Sequence, residues 1–231
     1  MSQRPETGGN IVCVMAHPDD MSNSMGGTAW LLKDRYPLHV LCATRGERGI
    51  RDKTYEEAAA IREKEEAAAS ALLGAHLTFL DRVNGELYAD REICERAAAI
   101  FRELQPLAVF TLWPINRHED HTTVYEIALK ALHLADLADT VEVYMSENGM
   151  GGQTNQFEPD LYVNISAVVE QKAAMVRCHV SQNQGDADRV LERNRIRGLL
   201  AGCEYAEGFK TLRPVMTGRW GRRSGSILLD L

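Results

Sequence analysis

Two short polar runs contain the side chains of this sequence that are best suited to chemistry. The first is Ala16–Asp20 (Ala-His-Pro-Asp-Asp), and the second is His118–His121 (His-Glu-Asp-His). Catalytic zinc sites use three protein ligands, usually imidazoles or carboxylates, and keep one position for water. His17, Asp20 and His121 offer two imidazoles and one carboxylate, so we predict that they hold Zn²⁺ or another divalent metal, since metal selection also depends on availability.

The same runs contain two groups that are left for proton transfer. Asp19 adjoins Asp20, and a carboxylate beside metal-bound water accepts a proton as a general base. His118 as an imidazolium would stabilise a tetrahedral oxyanion or protonate a leaving amine. Pro18 has a fixed φ and stiffens the turn between the first two ligands. Together these parts suffice for hydrolysis of an unactivated amide.

Each run also has a plainer interpretation. A single His at a strand end is more often a hydrogen-bonded structural residue than a ligand. A pair of carboxylates such as Asp19 and Asp20 also suits magnesium in a phosphotransfer site. For Asp120 we favour a role as N-cap of the helix that follows. The presence of both runs, each at a strand end, favours a metal site over these alternatives.

The elements around the runs indicate how they are positioned. Apolar runs rich in β-branched residues predict strands, and helical periodicity separates most of them. The predicted strands are Asn10–Met15, His39–Thr44, Leu77–Leu80, Leu107–Leu112, Thr140–Met145 and Leu161–Ile165. This alternation predicts an α/β fold, a mostly parallel sheet with helices on both faces. The runs follow the first and fourth strands, which are often neighbours at a switch point, so we expect them to face each other.

Local signals indicate where the helices begin and end. Thr54 and Glu57 have the spacing of a capping box, and Gly74 fits the end of that helix. Asp90 is predicted to cap the next helix. The apolar residues of the Thr54 helix are predicted to form its inner face: Ala58, Ile61, Ala68, Ala69 and Leu72. Further helices are expected at Ala29–Leu32, after Gly26 and Gly27, at Val168–Cys178 and at Asp186–Ala201.

The chain shows no linker, so we expect a single domain over residues 10–231 after a disordered tail at residues 1–9. The glycine-rich stretch Asn148–Pro159 is the longest polar segment. It is interpreted either as a mobile active-site loop or as a surface loop without function, and the sequence favours neither.

Composition excludes several classes of function. The net charge of −7 argues against nucleic acid as a partner, because phosphate binding needs a basic face. No apolar run approaches the roughly 20 residues that span a membrane, and the N-terminus lacks the apolar region of a secretory signal. Five cysteines without a Cys-x-x-Cys pair are predicted to be buried free thiols in a reducing compartment: Cys13, Cys42, Cys94, Cys178 and Cys203. We therefore expect a cytoplasmic protein.

Several motifs in one order resemble the PIG-L (LmbE-like) deacetylase family. They are Val14–Asp20, Thr44–Glu47, the run from Ile61 to Gly74, Arg117–His121, Lys172 with His179–Gln182, and Tyr205–Phe209. The similarity extends over nearly the whole chain from Asn10 to Phe209. The paired metal motifs are specific, and the others support them.

The resemblance implies a Rossmann-like single domain, bound Zn²⁺ and removal of acetyl groups from N-acetylglucosamine-type compounds. It implies the same roles for the residues of the two runs. Arg62 matches an arginine that reaches the substrate pocket, although periodicity alone does not exclude an exposed helix charge, and Glu47 is expected at the substrate too. The partner would be a small N-acetyl sugar conjugate, and related proteins often form symmetric homo-oligomers.

The sequence departs from the family pattern at three positions. Met21 replaces the usual Glu after the first run, Glu119 stands where Pro is common, and Asn164 replaces a late Asp. No ligand or base is lost, so the departures affect the expected substrate more than the reaction. Two other classes stay open: a non-catalytic protein that binds a sugar or metabolite, and a metal-dependent phosphoesterase.

Overall fold

The computed structural model describes residues 9–149, 152–183, 187–212, 227–228 and 231. The predicted tail therefore lies outside the described residues except for Gly9, and residues 150–151 of the glycine-rich stretch and residue 186 of the last predicted helix lie outside them as well.

Strands and helices alternate along the first half of the chain, as predicted. The strands are β1 Ile11–Met15, β2 Leu38–Thr44, β3 His76–Arg82, β4 Ala108–Leu112, β5 Glu142–Ser146, β6 Leu161–Asn164 and β7 Ala206–Thr211. The helices are α1 Asp20–Leu32, α2 Tyr55–Leu73, α3 Arg91–Leu104, α4 Glu119–Leu134, α5 Val169–Arg177, α6 Val180–Asn183 and α7 Ala187–Ala201. A short 3₁₀ turn, Ser166–Val168, precedes α5.

All seven strands form one sheet in the order β3-β2-β1-β4-β5-β7-β6. The first five strands run parallel to one another, whereas β7 runs antiparallel to both β5 and β6. The strand order reverses between β1 and β4, so the predicted switch point is confirmed. The mostly parallel α/β fold is confirmed with it.

The helices cover the sheet in two groups. α3 packs against α4, while α1, α2 and α7 pack around α5. Every residue of β1 and β4 is buried because both strands lie at the centre of the sheet between these layers. A strand that is covered on both faces needs an uninterrupted apolar sequence, which is the pattern that β1 shows.

The predicted helix signals are confirmed. The Thr54 hydroxyl accepts a hydrogen bond from Glu57 N at 3.2 Å, and the Glu57 carboxylate accepts one from Thr54 N at 3.0 Å. Gly74 ends α2 with a φ of 64°, a conformation that costs glycine little. Asp90 caps α3 by accepting from Ile93 N at 2.9 Å. Each of these contacts joins residues that are only a few positions apart, so the sequence alone is enough to predict them.

Two of the helix predictions need correction. α1 begins at Asp20, well before Ala29, and contains Gly26 and Gly27 at a kink where Met25 has non-helical dihedral angles. A Cβ on Gly27 would lie 2.7 Å from the Ile165 side chain, so this glycine permits close packing, although against the segment after β6.

The inner face of α2 differs from the prediction as well. Ala58 and Ala69 are buried, but so are Arg62, Glu66, Ser70 and Leu73. In contrast, Ala68 is exposed, Ile61 is only partly buried, and Leu72 is 43% exposed. Hydrophobic periodicity misplaced this face because α2 directs charged side chains inward, toward the carboxyl ends of the strands.

The cysteines are free, as predicted. Cys13, Cys42 and Cys94 are buried, but Cys178 and Cys203 are only partly buried, so the prediction that all five are buried was wrong. Cys178 follows the last residue of α5 and Cys203 lies in the turn after α7, where the chain approaches the surface. Among the described residues, no helix combines the length and the apolar character that crossing a membrane requires.

Candidate active site

The two polar runs meet at the carboxyl end of the sheet. β1 pairs directly with β4, so the segments that follow these strands lie side by side. His17 Nδ1 lies 3.2 Å from His121 Nε2, and His121 Nε2 lies 3.4 Å from Asp20 Oδ1. The structure therefore brings the three predicted metal ligands together.

The spacing of these atoms suits a tetrahedral ion. Zinc bonds to nitrogen and oxygen of about 2.0–2.1 Å place neighbouring ligand atoms roughly 3.3 Å apart in a tetrahedron, which is close to the two observed separations. His118 belongs to the same group, since one ring nitrogen from each of His17, His118 and His121 lies within 4.8 Å of the others. The third group beside His17 and His121 is therefore either the His118 imidazole or the Asp20 carboxylate, whose Oδ1 lies 3.4 Å from His121 Nε2. The donor set fits Zn²⁺.

Burial favours the neutral form of the His17 and His121 imidazoles. It lowers the pKa of His121 to about 3, with a smaller contribution from His118, and it lowers the pKa of His17 although the neighbouring Asp120 opposes this shift. A metal binds the deprotonated imidazole, so these nitrogens are ready as ligands at neutral pH.

Asp120 does not have the predicted role. His118 is the N-cap of α4, and its Nδ1 accepts from Asp120 N at 3.3 Å. The Asp120 carboxylate is instead fully buried, and its Oδ2 lies 2.8 Å from His17 Nε2 and 2.7 Å from Gly85 N. A carboxylate that binds the far nitrogen of a ligand histidine fixes its tautomer and orientation. The N-cap interpretation of Asp120 was therefore wrong.

Asp20 is held firmly by backbone groups. Its Oδ2 accepts from Ala16 N at 3.0 Å and from His17 N at 2.8 Å, and its Oδ1 accepts from the Asn148 amide. The side chain is therefore fixed by the same turn that carries His17. This arrangement leaves little freedom for the carboxylate to move away from the imidazoles.

Asp19 occupies a strained turn that α2 supports. Its φ of 111° lies in a region that side chains rarely adopt. Glu66 Oε2 accepts from Asp19 N at 2.9 Å, and the Arg62 guanidinium donates to Pro18 O and lies 3.5 Å from Asp19 Oδ1. Arg62 and Glu66 are four residues apart, so one face of α2 holds both sides of the turn.

The environment of Asp19 raises its proton affinity. Burial raises the pKa of Asp19 well above its ordinary value, the Arg62 charge opposes this shift, and the charge of Asp20 adds to it. Glu66 responds in the same way, and burial raises its pKa to about 7. Carboxylates with raised pKa values beside a metal-type donor set are typical of acid–base sites.

A cavity of about 710 Å³ opens onto these groups. It is lined by all five residues assigned to metal binding or proton transfer: His17, Asp19, Asp20, His118 and His121. Arg62 lines it too and is only 4% exposed, so it is not an exposed helix charge. Glu47 is not among the described lining residues. Its Oε1 accepts from Asn84 N at 3.0 Å, and Asn84 lines the cavity.

The glycine-rich stretch contributes to the cavity wall. Asn148, Gly149 and Gln153 line it. The Thr154 hydroxyl fixes this segment by accepting from Asn148 N at 3.0 Å and donating to Asn148 O at 2.7 Å. The segment therefore lies at the candidate site, as one of the two sequence interpretations predicts.

Two buried ion pairs lie outside the cavity lining, and one of them contacts the kinked part of α1. We call the pairs Lys172–Glu207 and Glu147–Arg197 the ion-pair cluster. Glu207 accepts from Gly27 N at 2.9 Å and from Thr28 N at 2.7 Å, while Lys172 Nζ donates to Asn23 O at 3.1 Å. These contacts replace the helical hydrogen bonds that the kink removes.

Comparison with known proteins identifies the family. The sequence profile of the family described as GlcNAc-PI de-N-acetylase (PIG-L) matches residues 12–132, just over half of the 231 residues. The chain belongs to the PIG-L family.

Relatives of this PIG-L chain resemble it over most of their length. The crystal structure of the conserved protein TT1542 from Thermus thermophilus is 31% identical, covers 93% of this chain and 99% of that chain, and has a TM-score of 0.77. GalB, the 4-carboxy-2-hydroxymuconate hydratase from Pseudomonas putida, is 26% identical with coverages of 92% and 99% and a TM-score of 0.79. Diacetylchitobiose deacetylase from Thermococcus kodakarensis is 28% identical over 87% of this chain and 82% of the relative.

Sequence reasoning missed two residues of this PIG-L site. Asp120 was assigned to backbone capping, and Glu66 was not singled out. The signal for Glu66 was its position four residues after Arg62, because residues at this spacing lie on the same face of a helix. For Asp120 no local signal distinguishes a cap from a partner of His17, because the two residues are 103 positions apart.

Proposed function

We propose that this protein is a zinc-dependent hydrolase that removes the acetyl group from an N-acetylglucosamine-type substrate. The observation that carries the proposal is the cluster of His17, Asp20 and His121 with two further groups, Asp19 and His118, beside it in one cavity. Family membership supports the same reaction, and a deacetylase is among the relatives.

Each side chain has a role in the proposed reaction. His17, Asp20 and His121 would hold Zn²⁺, which supplies Lewis acidity toward the amide carbonyl and an acidified water. The Asp19 carboxylate takes the proton of the attacking water, and its raised pKa brings its proton affinity closer to neutral pH. His118 lies against both other rings, with centroids 4.6 and 4.8 Å away, where it donates a proton to the leaving amine.

The substrate-facing roles of Arg62 and Glu47 belong to the same proposal. Arg62 lines the cavity and also fixes Asp19, so it orients the base and limits the space for the acetyl group. Glu47 would act indirectly on the substrate. Its carboxylate accepts a hydrogen bond from Asn84 N and so fixes Asn84 in the cavity wall.

Metal analysis combined with a screen of N-acetylglucosaminides for amine release tests the proposal. The wild-type protein should bind about one zinc per chain and release free amine. Asp19→Ala should keep its zinc and lose roughly 10²- to 10⁴-fold in activity, the range for one general base. Asp52→Ala removes an exposed carboxylate of the β2–α2 loop and should retain full activity.

The outcomes separate the proposal from its alternatives. Undiminished turnover by Asp19→Ala would eliminate Asp19 as the base. Binding of an N-acetyl sugar by the zinc-loaded protein without amine release would support a non-catalytic binding protein. Release of phosphate from a model ester, abolished by His121→Ala, would favour the phosphoesterase.

The similarity to GalB favours a second candidate, addition of water to a carbon–carbon double bond. The same metal site and base serve that reaction, because both reactions begin with removal of a proton from water. Loss of the conjugated absorbance of an unsaturated tricarboxylic acid, without any activity on N-acetyl sugars, would establish hydration in place of deacetylation.

A further inference from the structure

The chain segments that follow β4 and β5 lie side by side at the carboxyl end of the sheet. β4 pairs with β5 in parallel, so the chain leaves both strands at the same edge. Residues 113–118 lead from β4 to His118, and the glycine-rich stretch follows β5. Among the described residues, neither segment contains a helix or a strand. Their geometry therefore depends on the individual hydrogen bonds that they make.

Backbone groups tie the two segments together. Arg117 N donates to Gln153 O at 2.9 Å. Asn155 N donates to Ile115 O at 2.9 Å, and Asn155 O accepts from the Trp113 ring nitrogen at 3.0 Å. The glycine-rich stretch is therefore bound along the segment that follows β4.

The hydroxyl of Thr154 lies at the centre of this contact. Thr154 is 3% exposed, and it does not line the cavity among the described residues. Its Oγ1 accepts from Asn148 N at 3.0 Å and from Asn116 Nδ2 at 3.2 Å, and it donates to Asn148 O at 2.7 Å. A hydroxyl has one donor and two acceptor sites, so all of its hydrogen-bonding capacity is used.

Each partner of this hydroxyl contacts a group of the candidate site. The Asn148 amide donates to Asp20 Oδ1, and Asn116 Oδ1 accepts from His118 N at 2.9 Å. Thr154 is therefore one residue away from both Asp20 and His118. These two groups follow different strands, β1 and β4, and Thr154 follows a third, β5.

The proposed reaction requires a fixed separation between Asp20 and His118. The metal that Asp20 would help to hold acts on the amide carbonyl, whereas His118 would give its proton to the amide nitrogen. Both groups must therefore reach neighbouring atoms of one substrate at the same time. A displacement of about 1 Å in such an arrangement costs up to roughly 10²-fold in rate.

We propose that Thr154 is a positioning residue that sets the distance between His118 and Asp20. Its hydroxyl acts through Asn116 on one side and through Asn148 on the other, without touching the substrate. This inference rests on the proposed function, because it takes the roles of His118 and Asp20 from it.

Thr154→Val tests the role of the hydroxyl. With zinc at saturation, kcat on an N-acetylglucosaminide should fall by up to roughly 10²-fold. KM should hardly change, because Thr154 does not contact the substrate. Thr154→Ser keeps the hydroxyl and should restore most of the activity. Unchanged kcat in Thr154→Val, beside an active wild type, would overturn the proposal.

The matched control is Thr122→Val. The Thr122 hydroxyl donates to Pro114 O at 2.8 Å, so it contacts the same segment but neither Asn116 nor Asn148. This variant should keep its kcat. An equal loss of kcat in Thr122→Val and Thr154→Val would overturn the proposal, because any hydroxyl that fixes this segment would then have the same effect.

Asn116→Ala interrupts only the connection to His118. Asn116 is partly buried, so this variant also provides a test if Thr154→Val does not fold. It should lower kcat on the N-acetyl sugar much more than on 4-nitrophenyl acetate, whose leaving group departs without a proton. Equal losses on the amide and on the ester would overturn the proposed link between Thr154 and proton donation.

Hydrogen exchange in the metal-free protein keeps this test separate from the reaction. Thr154→Val should speed exchange of the Asn148 and His118 amide hydrogens, whereas Asn116→Ala should affect His118 alone and Thr122→Val neither. Faster exchange at both amides, with no amine release by the wild type, would refute deacetylation but retain the connection through Thr154. Unchanged exchange at His118 in Thr154→Val would overturn the proposal alone.

Discussion

The molecule contains two buried charged regions that are built in opposite ways. In the ion-pair cluster each charge faces an opposite charge, and both Glu207 oxygens and Lys172 Nζ also bind backbone groups. In the imidazole cluster, which we define as His17, His118 and His121, basic nitrogens face one another across a cavity. The first arrangement is complete in itself, whereas the second could hold a metal ion.

The difference shows how buried charge serves two purposes in one fold. Paired groups tie the kink of α1 to α5 and β7, where no reaction is needed. The imidazoles of His17 and His121, whose pKa values burial lowers, remain available as ligands, and this is the condition for binding a metal. Changes in the two clusters should therefore have different effects: loss of metal and activity in one, loss of stability in the other.

The largest expected effect is that of His121→Ala. Removing one of three ligands should abolish stoichiometric zinc binding and lower activity by at least roughly 10²- to 10⁴-fold, the contribution of a single group that acts on the transition state. The stability of the metal-free protein should fall by less than the roughly 3–5 kcal/mol that an unpaired buried charge costs, since the change removes a neutral imidazole and its Nε2 contact with His17 Nδ1. Metal analysis, amine release and urea unfolding measure these quantities.

The matched control for this prediction is His133→Ala. His133 lies on the same helix but is exposed. It should keep both zinc and activity. Full zinc content in His121→Ala would contradict the assigned ligand set and point to His118 as a replacement.

The opposite result is expected for Lys172→Met. It leaves Glu207 buried without its cation, and breaking a buried pair costs about 3–5 kcal/mol in unfolding free energy. Zinc content per folded molecule should stay unchanged. Urea unfolding of Lys172→Met beside Arg91→Met, which disrupts the exposed Arg91–Glu95 pair and should cost less than about 1 kcal/mol, measures the contrast. Similar losses in both variants would remove the distinction between the regions.

Glu66 sharpens the comparison because it is a buried acid without a full ion pair. Burial raises its pKa from 4.5 to about 7, so the folded state retains a proton that the unfolded state has lost. The bound proton therefore adds about 3 kcal/mol to the unfolding free energy below pH 4.5. This stabilisation is lost as the pH rises through 7. The metal-free wild type should lose this much stability relative to Glu66→Gln between pH 4.5 and 7. Parallel stability curves for the two proteins would exclude Glu66 as the source.

The smallest expected effect is that of Asp120→Asn. A carboxylate that orients a ligand histidine contributes about 10- to 100-fold to metal affinity. Zinc affinity, measured by competition with a chelator, should fall by this factor while the fold is retained. Glu119→Gln removes the same charge from the exposed neighbouring position and should leave the affinity unchanged. An unchanged affinity in Asp120→Asn would return Asp120 to a structural role.

Much of the fold was predictable because its signals are local. The alternation of apolar runs and helical periods predicted the parallel sheet, and Thr54, Asp90 and Gly74 marked helix ends through contacts with neighbouring residues. The kink in α1 was not predictable in this way. It depends on Glu207, which lies 180 positions after Gly27 and takes the place of the helical acceptor.

The sequence by itself determined which side chains are available for chemistry and at which strand ends they lie. His17, Asp20 and His121 were identifiable from their types and from the expected meeting of the first and fourth strands. Only the tertiary structure decided which groups each of them contacts. Asp120 binds His17 and the inner face of α2 holds Asp19, because such pairings join residues tens to more than a hundred positions apart, beyond the reach of a local pattern.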